Sequence, residues 1–276
     1  MAVHPKTKVV LITGCSPGSI GEALAKEFLL HDGEELEELE ALGANCFPVD
    51  VTSSESVKAL RDDVKESMGD NLDVLINCAV NRGINYVMPA LDVDVEELKR
   101  IFDINLFGVV RMTQAFSTPL INRKGLIVNL GSLATYAPYV FGSSYNASKA
   151  ALLAYGNTLR IELSPWSVRV MTVIAGPVVS GLMTRKKRTL PMDSRYQPIV
   201  EAFEQRTTHA KHGIQAMPTK EFAQSVVKQV LKSSPPVSYW IGPFTNMVWW
   251  LETLGLASVW SRFFRKMFQL WKLDQA

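Results

Sequence analysis

The fold is decided by the stretch Val9-Val10-Leu11-Ile12-Thr13-Gly14-Cys15-Ser16-Pro17-Gly18-Ser19-Ile20-Gly21. Its first residues form a continuous apolar, β-branched run, which is typical of a fully buried parallel strand. A glycine-rich turn follows, and a helical pattern then covers residues 22–30. Glycines let the backbone approach a ligand closely, and the free N–H groups of a helix start attract phosphate. This order predicts a site for the pyrophosphate of a dinucleotide, and a plain turn between a strand and a helix is the alternative.

Strand-like and helix-like patterns alternate along most of the chain. Apolar runs predict further strands at residues 45–49, 72–77, 125–130, 167–174 and 237–241. Helical patterns cover residues 34–42, 94–102, 105–120, 145–163 and 220–232, and Thr52-Ser53-Ser54-Glu55 has the spacing of a capping box that begins another helix. Alternation of this kind is typical of an α/β fold, here a Rossmann-like doubly wound sheet of mostly parallel strands.

A doubly wound sheet normally has its second strand directly after the first helix, and that strand ends near a residue that binds the adenosine ribose. In this chain His31-Asp32-Gly33 leads straight into the helical pattern of residues 34–42, which Gly43 can cap. Because no β-branched run separates the two helices, we expect the second strand to be missing. An incomplete gene model, a splice variant and a genuine loss of cofactor binding are all compatible with this pattern.

Three residues are candidates for moving a proton: Ser132, Tyr145 and Lys149. Tyr145 and Lys149 stand four residues apart on a predicted helix, which places both on one face about one turn apart. A phenol with a pKa near ~10 exchanges protons poorly at neutral pH, and a nearby ammonium favours the phenolate by ~1.4 kcal/mol per pKa unit. Ser132 follows a predicted strand and can hydrogen-bond a substrate oxygen. The set predicts proton transfer to or from a carbonyl or an alcohol, although Tyr-x-x-x-Lys also arises by chance in helices.

Composition argues against several other classes of protein. A hydrophobic fraction of 47% and a charged fraction of 20% are those of an ordinary globular protein, and a net charge of +2 argues against a general nucleic-acid binder. Cys15, Cys46 and Cys78 are too few and too scattered for a disulfide framework and indicate a reducing compartment. The pair His209 and His212 has no clear third ligand, so no metal site is predicted. The first residues lack the apolar core of a signal peptide, which makes a cytoplasmic location the expectation.

The last third of the chain contains a weakly patterned segment and an aromatic tail. Residues 182–218 show little periodicity and a basic run at 185–188, and a loop of this length is often a substrate lid. Residues 243–276 mix tryptophan and phenylalanine with arginine and lysine, so we expect an amphipathic helical extension after a domain of residues 1–242. No stretch in it reaches the ~18 uncharged apolar residues of a membrane span, but an amphipathic helix can lie in a bilayer surface. Packing over the substrate pocket and packing against another subunit are the alternatives.

Taken together, residues 9–241 resemble the short-chain dehydrogenase/reductase family. The run from Thr13 to Gly21 is similar to the family's cofactor glycine turn, and Asn77-Cys78-Ala79 is similar to its Asn-Asn-Ala-Gly element. Ala175-Gly176 with Ser180 stands where the family has Pro-Gly and a threonine that contacts the nicotinamide amide. Each motif is weak alone, and their order and spacing carry the resemblance.

The resemblance implies a role for each residue of the proton-transfer site. Ser132, Tyr145 and Lys149 match the family's catalytic trio, and Asn105 stands where the family places its fourth member. By this resemblance Tyr145 is the general acid in reduction and the general base in oxidation, and Lys149 lowers its pKa and holds the nicotinamide ribose. Ser132 positions the substrate oxygen, and Asn105 supports a water-linked proton path to Lys149. The implied activity is that of an NAD(P)-dependent oxidoreductase reducing a carbonyl to an alcohol, or the reverse.

The resemblance also supplies the expected cofactor and partners. NADP is expected, with NAD as the alternative, because the tail is more similar still to fungal members related to 1-acyldihydroxyacetone-phosphate reductase, some of which act on secondary metabolites. We therefore expect a lipid-like or secondary-metabolite substrate, a homodimer or homotetramer, no nucleic acid, and peripheral contact of the tail with the endoplasmic reticulum or lipid droplets. The residues implied to bind the cofactor are Gly14, Ser16, Gly18, Ile20, Gly21, Asp50, Asn77, Ala79, Tyr145, Lys149, Gly176, Val178 and Ser180.

Three departures from the family's pattern all fall on the cofactor side. The glycine turn is one residue longer than usual, with Ser19 in place of an expected glycine. Val80 replaces the usual glycine after Asn77-Cys78-Ala79, and Val80-Asn81-Arg82 resembles a short insertion before Gly83. The missing second strand removes the residues that choose between NAD and NADP. The alternative function is therefore a cofactor-deficient pseudoenzyme or a binding protein that retains the fold.

Overall fold

A parallel sheet runs through the centre of the protein. The computed structural model describes residues 8–30, 44–78, 86–179, 188–208, 215–256 and 258–275. Within these residues five strands form one sheet, with bounds Val10–Ile12 (β1), Val74–Asn77 (β2), Leu126–Leu130 (β3), Arg169–Ala175 (β4) and Ser238–Ile241 (β5). The strands are all parallel and neighbours in the sheet are neighbours in the chain. The predicted parallel α/β architecture is confirmed.

Helices connect the strands and continue past the last one. Those in the described residues are Ile20–Leu30 (α1), Ser54–Met68 (α2), Val95–Phe102 (α3), Gly108–Ala115 (α4), Ser117–Arg123 (α5), Ser143–Glu162 (α6), Val200–Thr208 (α7), Thr219–Val230 (α8), Thr245–Thr253 (α9) and Val259–Met267 (α10). A π turn spans Asp103–Phe107, and short 3₁₀ helices include Leu133–Thr135, Gln197–Ile199 and Leu270–Gln275. The predicted helix at residues 34–42, with Gly43, lies outside the described part of the chain.

The central strands β2, β3 and β4 are buried on both faces apart from Arg169, which explains why they read as continuous apolar runs. Successive side chains of a strand point to opposite faces. On β2, Leu75 belongs to the core that α2, α4 and α6 close, whereas Val74 and Ile76 belong to the core beneath α1 and α8. Helices on both faces of a parallel sheet are the arrangement of a doubly wound fold.

Strand β1 lies at an edge of the described sheet. It pairs with β2 in the register Val10↔Val74, and its residues are less buried than those of β2. The strand predicted at residues 45–49 is wrong, because residues 44–50 take no regular structure. An extended segment becomes a strand only beside a neighbour that it can bond, and within the described residues no strand flanks this one. In addition, Pro48 has no N–H to donate to a ladder.

The helix predicted at residues 105–120 is three elements in the structure. The π turn Asp103–Phe107 joins α3 to α4, and α4 ends before α5 begins. Pro119 is tolerated in the first turn of α5, but it could not continue α4 because it has no N–H to donate to the carbonyl of Ala115. The π turn places Asn105 in the interior of the protein. Such turns are frequent at functional sites.

The carboxyl-terminal extension packs against the main domain through one of its faces. Trp260, Phe264 and Phe268 are buried in the same core as Phe141 and Phe203. Other large apolar side chains of the extension are exposed, among them Met247, Trp249, Trp250, Leu254, Phe263 and Trp271. Among the helices that the structure describes, none is long and apolar enough to cross a bilayer.

The segment predicted to be a lid contains regular structure. Helix α7 ends at Thr208, and the 3₁₀ helix Gln197–Ile199 precedes it. Residues 180–187 and 209–214 lie outside the described part of the chain. Most of the basic run and both histidines of the sequence pair therefore lie outside it as well. Among the described residues, no cluster of three or more potential ligands is arranged to hold a metal ion.

Candidate active site

Helix α6 carries Tyr145 and Lys149 on one face, as their spacing predicts. Lys149 is 3% exposed, and its Nζ donates to the carbonyl oxygen of Leu130 at 2.9 Å, at the end of β3. The same Nζ lies 5.8 Å from the centroid of the Tyr145 ring. Burial lowers the pKa of Lys149 from 10.5 to about 8, with Cys78 acting in the opposite direction. The ammonium therefore stays largely charged at neutral pH beside the phenol, and its charge favours the phenolate.

A buried hydrogen-bonded chain ties the π turn to α6. Asn105 is 1% exposed, and its Nδ2 donates to the Ser148 Oγ at 3.0 Å. The Ser148 hydroxyl in turn donates to the carbonyl oxygen of Tyr145 at 2.8 Å. The Oδ1 of Asn105 has no hydrogen-bond partner among the described residues, and a buried acceptor of this kind is costly unless water reaches it. An acceptor that can bind a water is what the predicted proton path to Lys149 requires.

Ser132 lies two residues beyond the Leu130 carbonyl that binds Lys149. Its Oγ accepts a hydrogen bond from the Ala134 N–H at 3.1 Å and so begins the 3₁₀ turn Leu133–Thr135, which packs against α6. This bond uses a lone pair of the hydroxyl, so the O–H remains able to donate to a substrate oxygen. The end of β3 thus carries both the predicted serine and the acceptor of the lysine.

The glycine turn between β1 and α1 leaves space beside the backbone. Gly14 and Gly18 have φ angles of 79° and 74°, a region that favours glycine. A Cβ on Gly21 would lie 2.5 Å from the carbonyl oxygen of Gly14, whereas a Cβ on Gly18 would meet nothing within 4 Å. The start of α1 therefore approaches the turn as only glycine allows, and the turn is open on the Gly18 side. These features fit the pyrophosphate of a dinucleotide.

Ser19, which departs from the family's pattern, has a local structural role. Its Oγ accepts from the Glu22 N–H at 3.0 Å and donates to the carbonyl oxygen of Gly14 at 2.8 Å. The Glu22 carboxylate accepts from the Gly18 N–H at 2.6 Å. Ser19 is therefore the N-cap of α1, and the Glu22 carboxylate reaches back to the residue before the cap. The additional residue of the turn thus serves as a helix cap. The Ser-x-x-Glu spacing is the sequence signal that could have predicted this cap.

Two further residues predicted to bind the cofactor have internal partners. The carboxylate of Asp50 accepts from the N–H and the hydroxyl of Thr52 at 2.9 and 2.7 Å, and these hydrogen bonds lower the pKa of Asp50. Asn77 is buried, and its Nδ2 donates to the Oδ1 of Asn129 on the neighbouring strand at 3.0 Å. Asp50 is exposed and open to a ligand, whereas the side chain of Asn77 bonds within the sheet.

Gly176 and Val178 follow the end of β4. The Gly176 N–H donates to the carbonyl oxygen of Ile241 at 2.8 Å, and a Cβ on Gly176 would lie 2.4 Å from the carbonyl oxygen of Pro243. Val178 forms a parallel bridge with Met217. The backbone after β4 is therefore held on both sides by the segments that follow β5 and precede α8.

Of the remaining residues predicted to bind the cofactor, some lie in the glycine turn and at the start of α1, and the others lie outside the described residues. Ser16 is exposed in the glycine turn, and Ile20 is half-buried at the first position of α1. Ala79 and Ser180 lie outside the described residues. Ser148 is a residue of the site to which the sequence assigned no role. Its place between Tyr145 and Lys149 was visible, but its bond to the π turn was not.

The predicted residues converge on one end of the sheet. Gly14 follows β1, Asn77 ends β2, Ser132 follows β3 and Gly176 follows β4. Because the strands are parallel, their carboxyl ends form one edge, where open α/β sheets bind ligands. Lys149 reaches the same edge from α6. A nicotinamide cofactor bound there would supply or accept a hydride, while the side chains of the protein would hold the substrate oxygen and move the proton.

Comparison with known proteins agrees with this geometry. The model of a family described as short chain dehydrogenase matches residues 8–191, a span that includes the glycine turn and all four proton-transfer residues. The chain is 42% identical over 280 residues to the short-chain dehydrogenase srdE of Neurospora crassa, covering 98% of this chain and 95% of the relative. It is 41% identical over 205 residues to the NADPH-dependent 1-acyldihydroxyacetone phosphate reductase of Schizosaccharomyces pombe, covering 69% of this chain and 68% of the relative.

Solved structures share the fold. A short-chain dehydrogenase from Streptomyces avermitilis superposes with a TM-score of 0.72 at 22% identity, covering 96% of this chain and 99% of that chain. A short chain dehydrogenase from Burkholderia cenocepacia, solved in complex with NADP, superposes with a TM-score of 0.68 at 21% identity, covering 94% and 98%. At these identities the likeness concerns the fold.

Proposed function

Since this chain belongs to the short-chain dehydrogenase family, we propose that it is an NADP-dependent oxidoreductase that reduces a carbonyl to an alcohol, or catalyses the reverse. The observation that carries the proposal is the placement of Lys149, which is buried and 5.8 Å from the ring of Tyr145. Burying a charged amine destabilises a fold, so its presence needs another reason. Lowering the pKa of a phenol for proton transfer is such a reason.

In the reductive direction, the Tyr145 hydroxyl donates its proton to the substrate oxygen. The Ser132 hydroxyl donates a hydrogen bond to the same oxygen and holds it in place. Lys149 stabilises the phenolate that remains and then gives it a proton, which restores the phenol; it would also hold the ribose of a bound nicotinamide cofactor. Asn105, fixed by Ser148, presents its Oδ1 to a water through which the proton of Lys149 is replaced. Each role belongs to one side chain and can be removed by one substitution.

NADP is proposed in preference to NAD. The Schizosaccharomyces pombe relative is NADPH-dependent by its name, and the Burkholderia cenocepacia neighbour was solved with NADP. Residues 31–43, where a ribose-binding residue is expected, lie outside the described part of the chain, so the preference rests on the relatives. Isothermal titration with NADPH and NADH tests it. Tighter binding of NADPH is expected, and tighter binding of NADH would contradict the choice.

The alternative of a cofactor-deficient pseudoenzyme or binding protein is not supported. The family match spans the glycine turn as well as the proton-transfer residues, and the cap formed by Ser19 accounts for the lengthened turn. The same titration separates the two functions. Micromolar binding of either nucleotide rejects the pseudoenzyme, and absence of binding of both would reject the enzyme.

A lipid-like or secondary-metabolite carbonyl compound is the proposed substrate. The Schizosaccharomyces pombe relative is named for 1-acyldihydroxyacetone phosphate, and the rings of Tyr136 and Trp240 pack 4.8 Å apart beside the turn that Ser132 begins. Such an aromatic wall suits an apolar chain. NADPH oxidation with 1-acyldihydroxyacetone phosphate and with dihydroxyacetone phosphate tests this class. We expect kcat/KM to be ~10-fold or more higher for the acylated compound, since each buried methylene contributes about 0.8 kcal/mol. Equal values would contradict a lipid-like substrate.

A second proposal is that the extension of residues 243–276 binds a membrane surface. It exposes Trp249, Trp250, Phe263 and Trp271, and the exposed cations Arg262, Arg265, Lys266 and Lys272 lie among them. Aromatic side chains with neighbouring cations fit the interface of a bilayer that contains anionic lipids. Contact with the endoplasmic reticulum or lipid droplets from the cytoplasmic side is the proposed location.

The membrane proposal is best tested with exposed residues. Deleting residues 243–276 would also remove Phe264 and Phe268 from the core, so loss of binding would be ambiguous. The double substitution Trp249→Ala and Trp250→Ala avoids this problem, and Trp166→Ala, exposed on another element, is the matched control. In flotation with phosphatidylcholine and phosphatidylserine vesicles, we expect only the double variant to lose binding. Equal flotation of all three proteins would exclude this surface.

A homodimer or homotetramer is also proposed. In this family the helix that carries the tyrosine commonly joins two subunits. Here that helix is α6, and Ile161 on it and Phe107 in the adjoining π turn are exposed apolar side chains. Light scattering should give the mass of a dimer or tetramer at micromolar concentration. A monomer at that concentration would contradict the proposal.

A further inference from the structure

An aromatic cluster surrounds the turn that precedes α6. The ring of Phe141 makes edge contacts with Tyr196, with Phe203 of α7 and with Phe268 of the extension, at centroid distances of 6.0, 5.5 and 5.6 Å. Tyr139 also meets Phe268 edge-on at 5.5 Å. Phe203 and Phe268 are completely buried. Two segments that are distant in the sequence, residues 196–203 and the extension around Phe268, therefore close on one short turn.

Phe141 has a backbone conformation that its own side chain disfavours. Its φ angle is 63°, in the left-handed region where a Cβ crowds the following carbonyl oxygen. The carbonyl oxygen of Phe141 accepts from the Met88 N–H at 2.8 Å, and that of Gly142 accepts from the Asn146 N–H at 2.9 Å. A strained conformation of this kind persists only where its surroundings determine it. The three ring contacts and the bond to Met88 are those surroundings.

The same turn connects the two sides of the proton-transfer site. The chain runs from Ser132 through this turn into α6, and Tyr145 follows Phe141 by four residues. Lys149, one turn further along, is anchored independently on Leu130. A shift of the turn would therefore move the phenol relative to the serine, and displacements near 1 Å are enough to reduce a rate.

We propose that Phe141 is a positioning residue for proton transfer and that Phe268 of the carboxyl-terminal extension holds it in place. The inference rests on the proposed oxidoreductase function and assigns the extension a part in it. The buried face of the extension acts on the turn before α6, whereas its exposed face carries Trp249 and Trp250. Substitutions on the buried face should therefore affect the turn before α6, and substitutions on the exposed face should affect membrane binding.

Hydrogen exchange tests the aromatic cluster without substrate or cofactor. Phe268→Leu keeps an apolar side chain and Phe268→Ala removes it, while Phe263→Ala, exposed on α10, is the matched control. In the full-length protein we expect exchange of the amides of residues 141–146 to rise ~10-fold or more in both Phe268 variants and to stay unchanged in the control. Unchanged exchange in folded Phe268→Leu would overturn the proposal.

Steady-state kinetics with NADPH and 1-acyldihydroxyacetone phosphate separates positioning from binding. In Phe268→Leu we expect kcat to fall ~10-fold while the Kd of NADPH stays within ~2-fold of the wild-type value. Wild-type kcat in Phe268→Leu, together with faster exchange, would refute the positioning role alone. A wild-type protein that turns over no compound in a ketone panel that includes 1-acyldihydroxyacetone phosphate would instead refute the proposed function and, with it, the catalytic part of this inference.

Discussion

Replacing Lys149 with methionine is expected to stabilise the nucleotide-free protein while removing its activity. Burial lowers the pKa of Lys149 from 10.5 to about 8, so at neutral pH the folded state carries a charge that it disfavours. At ~1.4 kcal/mol per pKa unit this amounts to about 3 kcal/mol. The substitution also removes the 2.9 Å bond from Nζ to the Leu130 carbonyl, at a cost of about 1 kcal/mol. The free energy of unfolding at pH 7 should therefore rise by about 2 kcal/mol.

The expected gain depends on pH in a direction that the lowered pKa determines. Below pH 8 Lys149 is charged in the folded and in the unfolded state, so the buried charge destabilises the folded state by its full amount. Between pH 8 and 10.5 the folded protein gives up the proton first, and the stability of the wild-type protein rises. The advantage of Lys149→Met should shrink across this window. Cys78, whose pKa burial raises to about 12, is present in both proteins and largely cancels in the difference.

Urea unfolding at pH 7 and pH 10, followed by circular dichroism, measures this difference. Lys99→Met is the matched control, because Lys99 is exposed and its removal should leave the free energy of unfolding close to the wild-type value. The kcat of Lys149→Met should fall ~100-fold or more. A Lys149→Met protein that is less stable than wild type at pH 7, or whose advantage is the same at both pH values, would refute the reasoning.

Two further substitutions test the cofactor turn and the buried chain. Gly21→Ala puts a Cβ 2.5 Å from a backbone carbonyl oxygen, so the affinity for NADPH in isothermal titration should fall ~10-fold or more. Gly18→Ala should lower the free energy of unfolding, measured in urea, by the ~1–2 kcal/mol of a left-handed backbone. Equal NADPH affinity of Gly21→Ala and wild type would contradict the proposal that the glycine turn binds the pyrophosphate. Ser148→Ala leaves the buried Asn105 amide without its acceptor and should lower the free energy of unfolding by about 1–3 kcal/mol, while exposed Ser143→Ala should not. An unchanged value for Ser148→Ala would show that the amide finds another acceptor.

The fold could be predicted wherever local pattern and tertiary context agree. The strand Val10–Ile12 and the helix Ile20–Leu30 follow from their apolar runs and from the glycines between them. The strand predicted at residues 45–49 was wrong because a local pattern describes an extended backbone but not the neighbour that it needs. The π turn at Asp103–Phe107 was missed because one additional residue in a helical turn leaves the apolar periodicity of residues 105–120 almost unchanged.

The active site could be predicted in its residues but not in its contacts. The spacing of Tyr145 and Lys149 places them together on any helix, whereas the bond between Asn105 and Ser148 joins positions 43 residues apart. The contact of Phe141 with Phe268 likewise depends on how the extension folds back over the domain. No local pattern carries that information.

Turnover of the Tyr145→Phe protein tests whether the phenol transfers the proton. Phenylalanine keeps the ring and removes only the hydroxyl, and Tyr155→Phe on the same helix is the matched control. The substrate is the best one in a ketone panel that includes 1-acyldihydroxyacetone phosphate. We predict that Tyr145→Phe binds NADPH as tightly as the wild type does but that its kcat falls ~100-fold or more, while the kcat of the control stays unchanged. A Tyr145→Phe protein with wild-type turnover would contradict proton transfer by Tyr145.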